Sequence, residues 1–160
     1  MTAATPLCVR TPVDRALLAS RLVKNIVVGL SAAETSQTAV RQAFELAEAT
    51  GAMVHVLTAV DDDEFAVIEV GSDRFEFSDS GLAKQAADAF VQRLAPKVKW
   101  RSIVVEERPA AALIDEARRI DADLIVVGNV RMQGIGRVLG SVGNEVVHHA
   151  PCNVLIVKTV

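Results

Sequence analysis

The stretch Leu124 to Val157, LIVVGNVRMQGIGRVLGSVGNEVVHHAPCNVLIV, constrains the fold more than any other part of this chain. An apolar run, Leu124 to Val127, breaks at Gly128 into a loop with further glycines at 134, 136 and 140. Ser141 follows, then a short segment of helical character, then a second apolar run from Val154 to Val157. A buried strand that enters a glycine-rich loop and then a helix start suits anions. Glycines let backbone N–H groups approach a phosphate closely, and the helix N-terminus adds unsatisfied donors and a positive dipole end. Generic fingerprints do not fit. No G-x-x-x-x-G-K-[ST] is present, so the lysine and metal-binding hydroxyl of a P-loop are missing. Gly134, Gly136 and Gly140 give G-x-G-x-x-x-G, one residue too long for the dinucleotide motif, and on a late strand.

The remaining chain alternates strand-like and helix-like segments. Ile26 to Val28 is apolar and ends at Gly29; Met53 to Val60 reads as a second strand, and Trp100 to Glu106 as a third. Between the first two, Thr35 or Ser36 can cap a helix with Val40, Ala43, Phe44 and Ala47 inward, stopped by Gly51. Leu82, Ala86, Phe90 and Leu94 recur every four residues and predict a helix from Gly81 to about Ala95, ended by Pro96. Pro109 opens another, with Leu113, Ile114, Ala117 and Ile120 inward. Leu124 to Val127 is the fourth strand, Ser141 to His149 the last helix, and Val154 to Val157 the fifth strand. Asp61 to Ser80 is polar and acidic and reads as a long crossover loop. Residues 1–22 read as an extension, with a short helix from Asp14 to Val23, ahead of one domain over 23–160. Strand–helix alternation predicts an α/β fold: an open, mostly parallel five-stranded sheet with helices on both faces.

Composition agrees with that layer fold. Hydrophobic residues make up 51% and aromatics only 4%, so small aliphatic side chains must fill the core. The net charge of −3 and the lack of a dense basic block argue against nucleic acid as the partner. The two cysteines, Cys8 and Cys152, fit a reducing cytosol, and no apolar run is long enough to span a membrane. The first residues lack the cationic and apolar regions of a signal peptide, so the expected location is cytoplasmic.

The segment from Gly128 onward resembles the universal stress protein family. Gly128, Asn129 and Val130, the pair Gly140-Ser141, and His149-Ala150-Pro151-Cys152 with Val154 and Leu155 carry the resemblance, which extends over roughly residues 22–160. It departs from the family pattern in the loop. Arg131 stands where the family has its second glycine, and eight residues rather than nine separate it from Gly140. The resemblance implies strand order 3-2-1-4-5, with a topological switch between strands 1 and 4. Ligands of open α/β sheets sit at such switches, beside the carboxyl ends of the strands. Here those ends are Gly29-Leu30-Ser31 and Gly128-Asn129-Val130.

The implied ligand is ATP, AMP or cyclic AMP, held by Gly29, Leu30, Ser31, Ala59, Gly128, Asn129, Arg131, Gly140, Ser141 and Val142, with no cofactor required. The N–H groups and hydroxyl at Gly140, Ser141 and Val142 are the phosphate candidates. Alternatively, Ser141 is only a helix cap and Gly140 only a tight turn. Ser31 occupies the place of a family aspartate, so no carboxylate is available there to grip a ribose or help hold a metal. Arg131 would occlude the phosphate approach or point to solvent; the alternative is a charge-assisted clamp.

Other polar residues read as structural. His55 lies in an apolar strand, and His148 and His149 close the last helix at its negative dipole end. Asp115, Glu116, Arg118 and Arg119 read as an exposed, salt-bridged helix face, Asp61 to Glu64 as a solvated run, and Cys152 as a packing residue. No catalytic triad or zinc-ligand spacing emerges. The sequence therefore predicts a non-catalytic nucleotide-binding sensor or buffer in stress response. The second reading is a dimeric interaction module that has lost the nucleotide and acts through an unidentified protein partner; a slow ATPase comes third, since neither an orienting base nor a metal carboxylate is visible near the loop. The apolar last strand near the chain end predicts a homodimer built on residues 153–158, because a bare edge invites pairing.

Overall fold

The central strands of the sheet are apolar along their whole length because they are buried on both sides. In the computed structural model, which describes residues 23–31, 33–60, 66–70, 73–77, 80–94, 97–129 and 140–158, β1 spans Asn25–Gly29. Ile26, Val27 and Val28 are completely buried. Ile26 and Val28 face one hydrophobic layer and Val27 the other, as the two-residue period of a strand requires. The other strands of this sheet are β2 (Met53–Val60), β5 (Trp100–Glu106), β6 (Leu124–Gly128) and β7 (Asn153–Val157). All pairings are parallel, in the order β5-β2-β1-β6-β7, which is 3-2-1-4-5 in the order these strands occur. The sheet order and fold class expected from the resemblance are those observed.

Two helices cover each face. Helices α1 (Glu34–Thr50) and α2 (Ser80–Leu94) build the layer with Ile26, Val28 and Val126. Helices α3 (Pro109–Arg119) and α4 (Ser141–His149) build the opposite layer with Val27, Ile125 and Val127. Helix α1 buries Val40, Ala43, Phe44 and Ala47 and ends on Gly51, whose φ of 77° and N–H bond to the Ala47 carbonyl close the last turn. Pro109 stands in the first turn of α3, as its missing N–H allows.

Three local expectations are corrected. Neither Thr35 nor Ser36 caps α1: the N-cap is Ala33, without a side-chain bond. The Ser36 hydroxyl is instead drawn back to the turn before the helix, accepting from the Ser31 N–H at 2.9 Å. The buried face of α2 is Ala83, Ala87, Phe90 and Val91, while Leu82 is 48% exposed. Small alanines let this helix lie close to the sheet, so the core side of the helix is rotated from the one that leucines mark. The third correction concerns residues 61–80. Within them, β3 (Ala66–Val70) and β4 (Asp73–Phe77) form an antiparallel hairpin instead of a loop. Two residues join these strands, the usual length for a tight hairpin. The helix expected at Asp14 to Val23 and the acidic run Asp61 to Glu64 lie outside the described residues, apart from Val23 itself.

The first turn of α1 passes directly over the end of β6. A Cβ at Gly128 would overlap the Thr35 carbonyl and lie 3.1 Å from the Ser36 nitrogen. That contact is backbone and cannot swing aside, so this glycine is a packing requirement. Gly128→Ala is therefore expected to lower unfolding stability by about 1–3 kcal/mol, the usual scale of overpacking. Urea denaturation monitored by circular dichroism checks this value; an unchanged midpoint would place α1 elsewhere.

Candidate functional site

The chain leaves β1 toward α1 on one face of the sheet, and enters α4 from β6 on the other face. Adjacent parallel strands whose connections depart in opposite directions leave a crevice at their carboxyl ends. A cavity of about 180 Å3 occupies that place. Its lining comes from four sources: the β1–α1 turn (Gly29, Leu30, Ser31, Ala33, Thr35, Ser36), the end of β2 (Leu57, Ala59), α3 (Pro109, Leu113), and β6 with the first turn of α4 (Val127, Gly128, Val142). Six of the ten sequence-chosen residues line this one cavity: Gly29, Leu30, Ser31, Ala59, Gly128 and Val142.

The two strand-end glycines have different reasons to be there. Gly128 is forced by α1, as shown above. A Cβ at Gly29 would meet only the Leu113 methyls, at 3.6 and 3.7 Å, which is ordinary contact. A side chain at position 29 would thus be tolerated by its neighbours while taking up room in the cavity. Leu30 is almost fully buried, and its N–H bonds the Leu57 carbonyl at 2.8 Å, locking the ends of β1 and β2 together.

Ser31 is exposed at the rim and is occupied in its own turn. Its Oγ accepts from the Ala33 N–H at 3.3 Å and meets the Ser36 hydroxyl at 3.1 Å. Ser36 Oγ lies 2.9 Å from both the Ser31 and Ala33 carbonyls, so its single proton serves one of them at a time. This arrangement offers hydroxyls to a ligand and no carboxylate.

Helix α4 brings its N-terminus to the cavity. Its N-cap is Gly140, with φ −57° and ψ 159°, and no side chain among the described residues caps the helix. Ser141 is therefore the first helical residue and not the cap, which corrects that alternative. Gly140 does not adopt a left-handed conformation, so its value lies in having no side chain rather than in an unusual φ. The first intrahelical bond runs from the Asn144 N–H to the Gly140 carbonyl at 2.9 Å. The N–H groups of Ser141, Val142 and Gly143 precede that bond and have no partner within the helix. Val142 carries this first turn to the cavity wall. Asn129 is set differently: its N–H continues the β6–β7 ladder to the Val157 carbonyl at 3.0 Å. Arg131, like Val130, Gly134, Gly136 and Arg137, lies outside the described residues.

Leu57, Leu113 and Pro109 were not chosen from the sequence as cavity residues; Pro109 and Leu113 were read only as parts of a helix. Leu57 was legible in principle, being two residues before Ala59 and on the same strand face. Leu113 sits one turn into α3, on its buried face, and only the packing of α3 over the strand ends brings it to the cavity.

Elsewhere, Asp115 and Arg118 pair on the exposed side of α3 at 3.1 Å, as read from the sequence. Glu116 does not belong with them: it is 7% exposed and faces His55 across the sheet layer. A helical residue one position on from Asp115 points about 100° away, which is enough to turn it inward. His149 Nδ1 donates to the Glu145 carbonyl at 3.0 Å at the end of α4. Cys152 is half-buried; burial, then the nearby Asp123 charge, raises its thiol above the ordinary range, so the reactive thiolate is disfavoured. Among the described residues no group of three His, Cys, Asp or Glu side chains is placed to hold a metal ion. No described helix is long and apolar enough to cross a membrane.

Known proteins are similar to this chain in sequence and in fold. A universal stress protein of Methanocaldococcus jannaschii is 30% identical over 142 residues, covering 86% of this chain and 83% of its own. The structure of UspA from Lactobacillus plantarum superposes with a TM-score of 0.63 at 27% identity, covering 85% of this chain and 98% of its own. A universal stress protein solved in complex with cAMP has a TM-score of 0.61 at 30% identity, covering 87% of this chain and 99% of its own. The sequence model of the universal stress protein family matches residues 23–158. On these grounds the chain belongs to the universal stress protein family.

Proposed function

We propose that this protein binds an adenine nucleotide at the β1–β6 crevice and acts as a non-catalytic, cytoplasmic sensor or buffer in stress response. The observation that carries this reading is the first turn of α4, with no side-chain cap among the described residues, bordering the cavity at the topological switch point. Apolar walls from Leu57, Ala59, Leu113 and Val127 suit the flat face of a purine, and the helix N-terminus suits its phosphate. The 30% identical relative that binds cAMP supports the same ligand class, with ATP and AMP as its other members. No general base is poised near the cavity in the described residues, so binding without turnover is the function proposed.

One observation favours a second reading, an interaction module that has lost the nucleotide. Both hydroxyls at the β1 end, Ser31 and Ser36, are engaged with each other, and the carboxylate position is empty of charge. Heat-denatured purified protein, extracted and analysed for nucleotide, separates the two. Adenine nucleotide in the extract supports the first; its absence, together with silent calorimetric titrations of ATP, AMP and cyclic AMP, supports the second.

The proposed homodimer pairs β7 with its copy across a two-fold axis. On that strand Ile156 is exposed, while Leu155 and Val157 belong to the core layer under α1. Val147 of α4 is exposed as well.

Gly140→Val is expected to weaken nucleotide binding at least about tenfold, or roughly 1.4 kcal/mol, while leaving the melting temperature nearly unchanged. Valine adopts the observed φ without strain, so the loss would reflect blocked access to the helix N-terminus. Calorimetry with and without a chelator should give the same affinity within a factor of a few, because Ser31 leaves no carboxylate to fix magnesium. A collapse in chelator would require a metal ligand elsewhere. Finally, Ile156→Lys should shift the sedimentation coefficient from dimer to monomer with the fold intact. A folded dimer from that variant would move the interface off β7.

A further inference from the structure

A polar cluster is buried on the α3 side of the sheet, away from the nucleotide cavity. His55, in β2, is 4% exposed and Glu116, in α3, is 7% exposed. Arg119 binds the Glu116 carboxylate with two bonds, Nε to Oε2 at 2.6 Å and Nη2 to Oε1 at 2.7 Å. Arg101, on the edge strand β5, donates from Nη2 to Glu116 Oε1 at 2.8 Å. Its Nε donates to His55 Nδ1 at 3.0 Å, while Glu116 Oε1 lies 3.1 Å from the same nitrogen.

Those two neighbours of Nδ1 require opposite states of it. Arg101 can only donate, so it needs a bare lone pair on Nδ1, with the imidazole proton on Nε2. The Glu116 carboxylate can only accept, so it needs a proton on Nδ1. Both bonds cannot exist at once. The remaining surroundings do not decide between them. In register on β1, His55 faces Val27, and Asp115 and Arg118 of α3 pair with each other at the exposed surface. Among the described residues the charged groups facing this imidazole are thus Arg101 from β5 and Glu116 from α3, with Arg119 behind the carboxylate.

We propose that these residues form a proton-operated latch on edge strand β5, in which neutral His55 accepts from Arg101 and protonated His55 turns to Glu116 and releases Arg101. A solvent proton adds to the Nδ1 lone pair, and only hydrogen bonds break. Arg101 has room to leave, because its side chain is 41% exposed and borders an open groove of about 770 Å3 beside β5. Arg119, bound to Glu116 by two hydrogen bonds, holds the carboxylate in place in either state. Burial lowers the proton affinity of His55 most; Glu116 raises it and Arg101 lowers it, for a net shift below the ordinary value. With the folded value depressed, the unfolded chain binds the proton more readily. The latch therefore contributes stability above the unfolded imidazole value of roughly 6.5, and that stability is lost as pH falls through the lower folded value.

The test is a long-range proton–nitrogen NMR titration of the whole chain from about pH 8 to about pH 5, the span over which histidines commonly titrate. The expected result is an Nε2–H tautomer of His55 at the alkaline end. Its conversion to the doubly protonated ring should share one midpoint with a loss of protection of the Arg101 Nε–H. Arg101→Met, which keeps the apolar stem, should raise the His55 midpoint by about one unit, since it removes a nearby cation. Three results would each overturn the latch: an Nδ1–H tautomer at the alkaline end, an Arg101 signal that ignores the His55 titration, or no protonation of His55 down to about pH 5. An unchanged midpoint in Arg101→Met would do the same.

Discussion

The two-sided burial of β1 and β6 governs this molecule. Ile26, Val27 and Val28 on one strand and Ile125 and Val126 on the other have no accessible surface, and Val127 has little. Adjacent parallel strands buried on both faces need helices above and below. The chain provides them in two passes. From β1 it moves outward through β2 to β5 with α1 and α2 on one face; it then returns to β6 and β7 with α3 and α4 on the other. Where the passes meet, between β1 and β6, consecutive connections diverge and the crevice opens. The same apolar pairing that makes the core therefore makes the site.

This is why the strands could be read from residues alone, while their order came from the resemblance. Runs such as Ile26–Val28 and Leu124–Val127 are too short and too uniformly apolar for surface helices. Gly51, Pro109 and Gly140 mark helix ends by backbone chemistry that tertiary packing does not override. The reading failed where packing chose among similar options. In α2, leucines at 82 and 94 suggested a face, yet alanines at 83 and 87 let the helix approach the sheet more closely. In the hairpin, Asp73, Arg74 and Glu76 made the segment look like solvated loop. The signal overlooked was the alternation of Ala66, Ile68 and Val70, and then of Phe75 and Phe77, on either side of Gly71-Ser72 in the sequence.

The candidate site was legible to the extent that topology fixes it. Once strand order is known, the residues ending β1, β2 and β6 must surround the crevice, and Gly29, Leu30, Ser31, Ala59 and Gly128 do. What topology cannot give is the reason for each residue. Gly128 looks the same in sequence whether a phosphate or a helix passes over it, and here it is the Thr35 carbonyl of α1. Glu116 likewise belongs, by sequence, to a run of charges that suggests a solvated face. Its burial depends on whether β2 offers it a partner at position 55, a relation across 61 residues of chain that no local pattern encodes.

Charge placement also separates the two polar features of the molecule and assigns them different chemistry. At the crevice the fold presents the backbone N–H groups opening α4, beside Ser31 and Ser36 hydroxyls that are engaged with each other. Such donors hold an anion without themselves changing charge, so binding there need not be coupled to a proton or a metal. At the β2–α3–β5 seam the reverse holds. A carboxylate sits between two guanidiniums, and an imidazole nitrogen is claimed by one donor and one acceptor. Burying the Glu116 carboxylate costs desolvation, which its two partly exposed guanidinium partners offset. The cluster's distinguishing property is that one proton changes which of two hydrogen-bond patterns is satisfied.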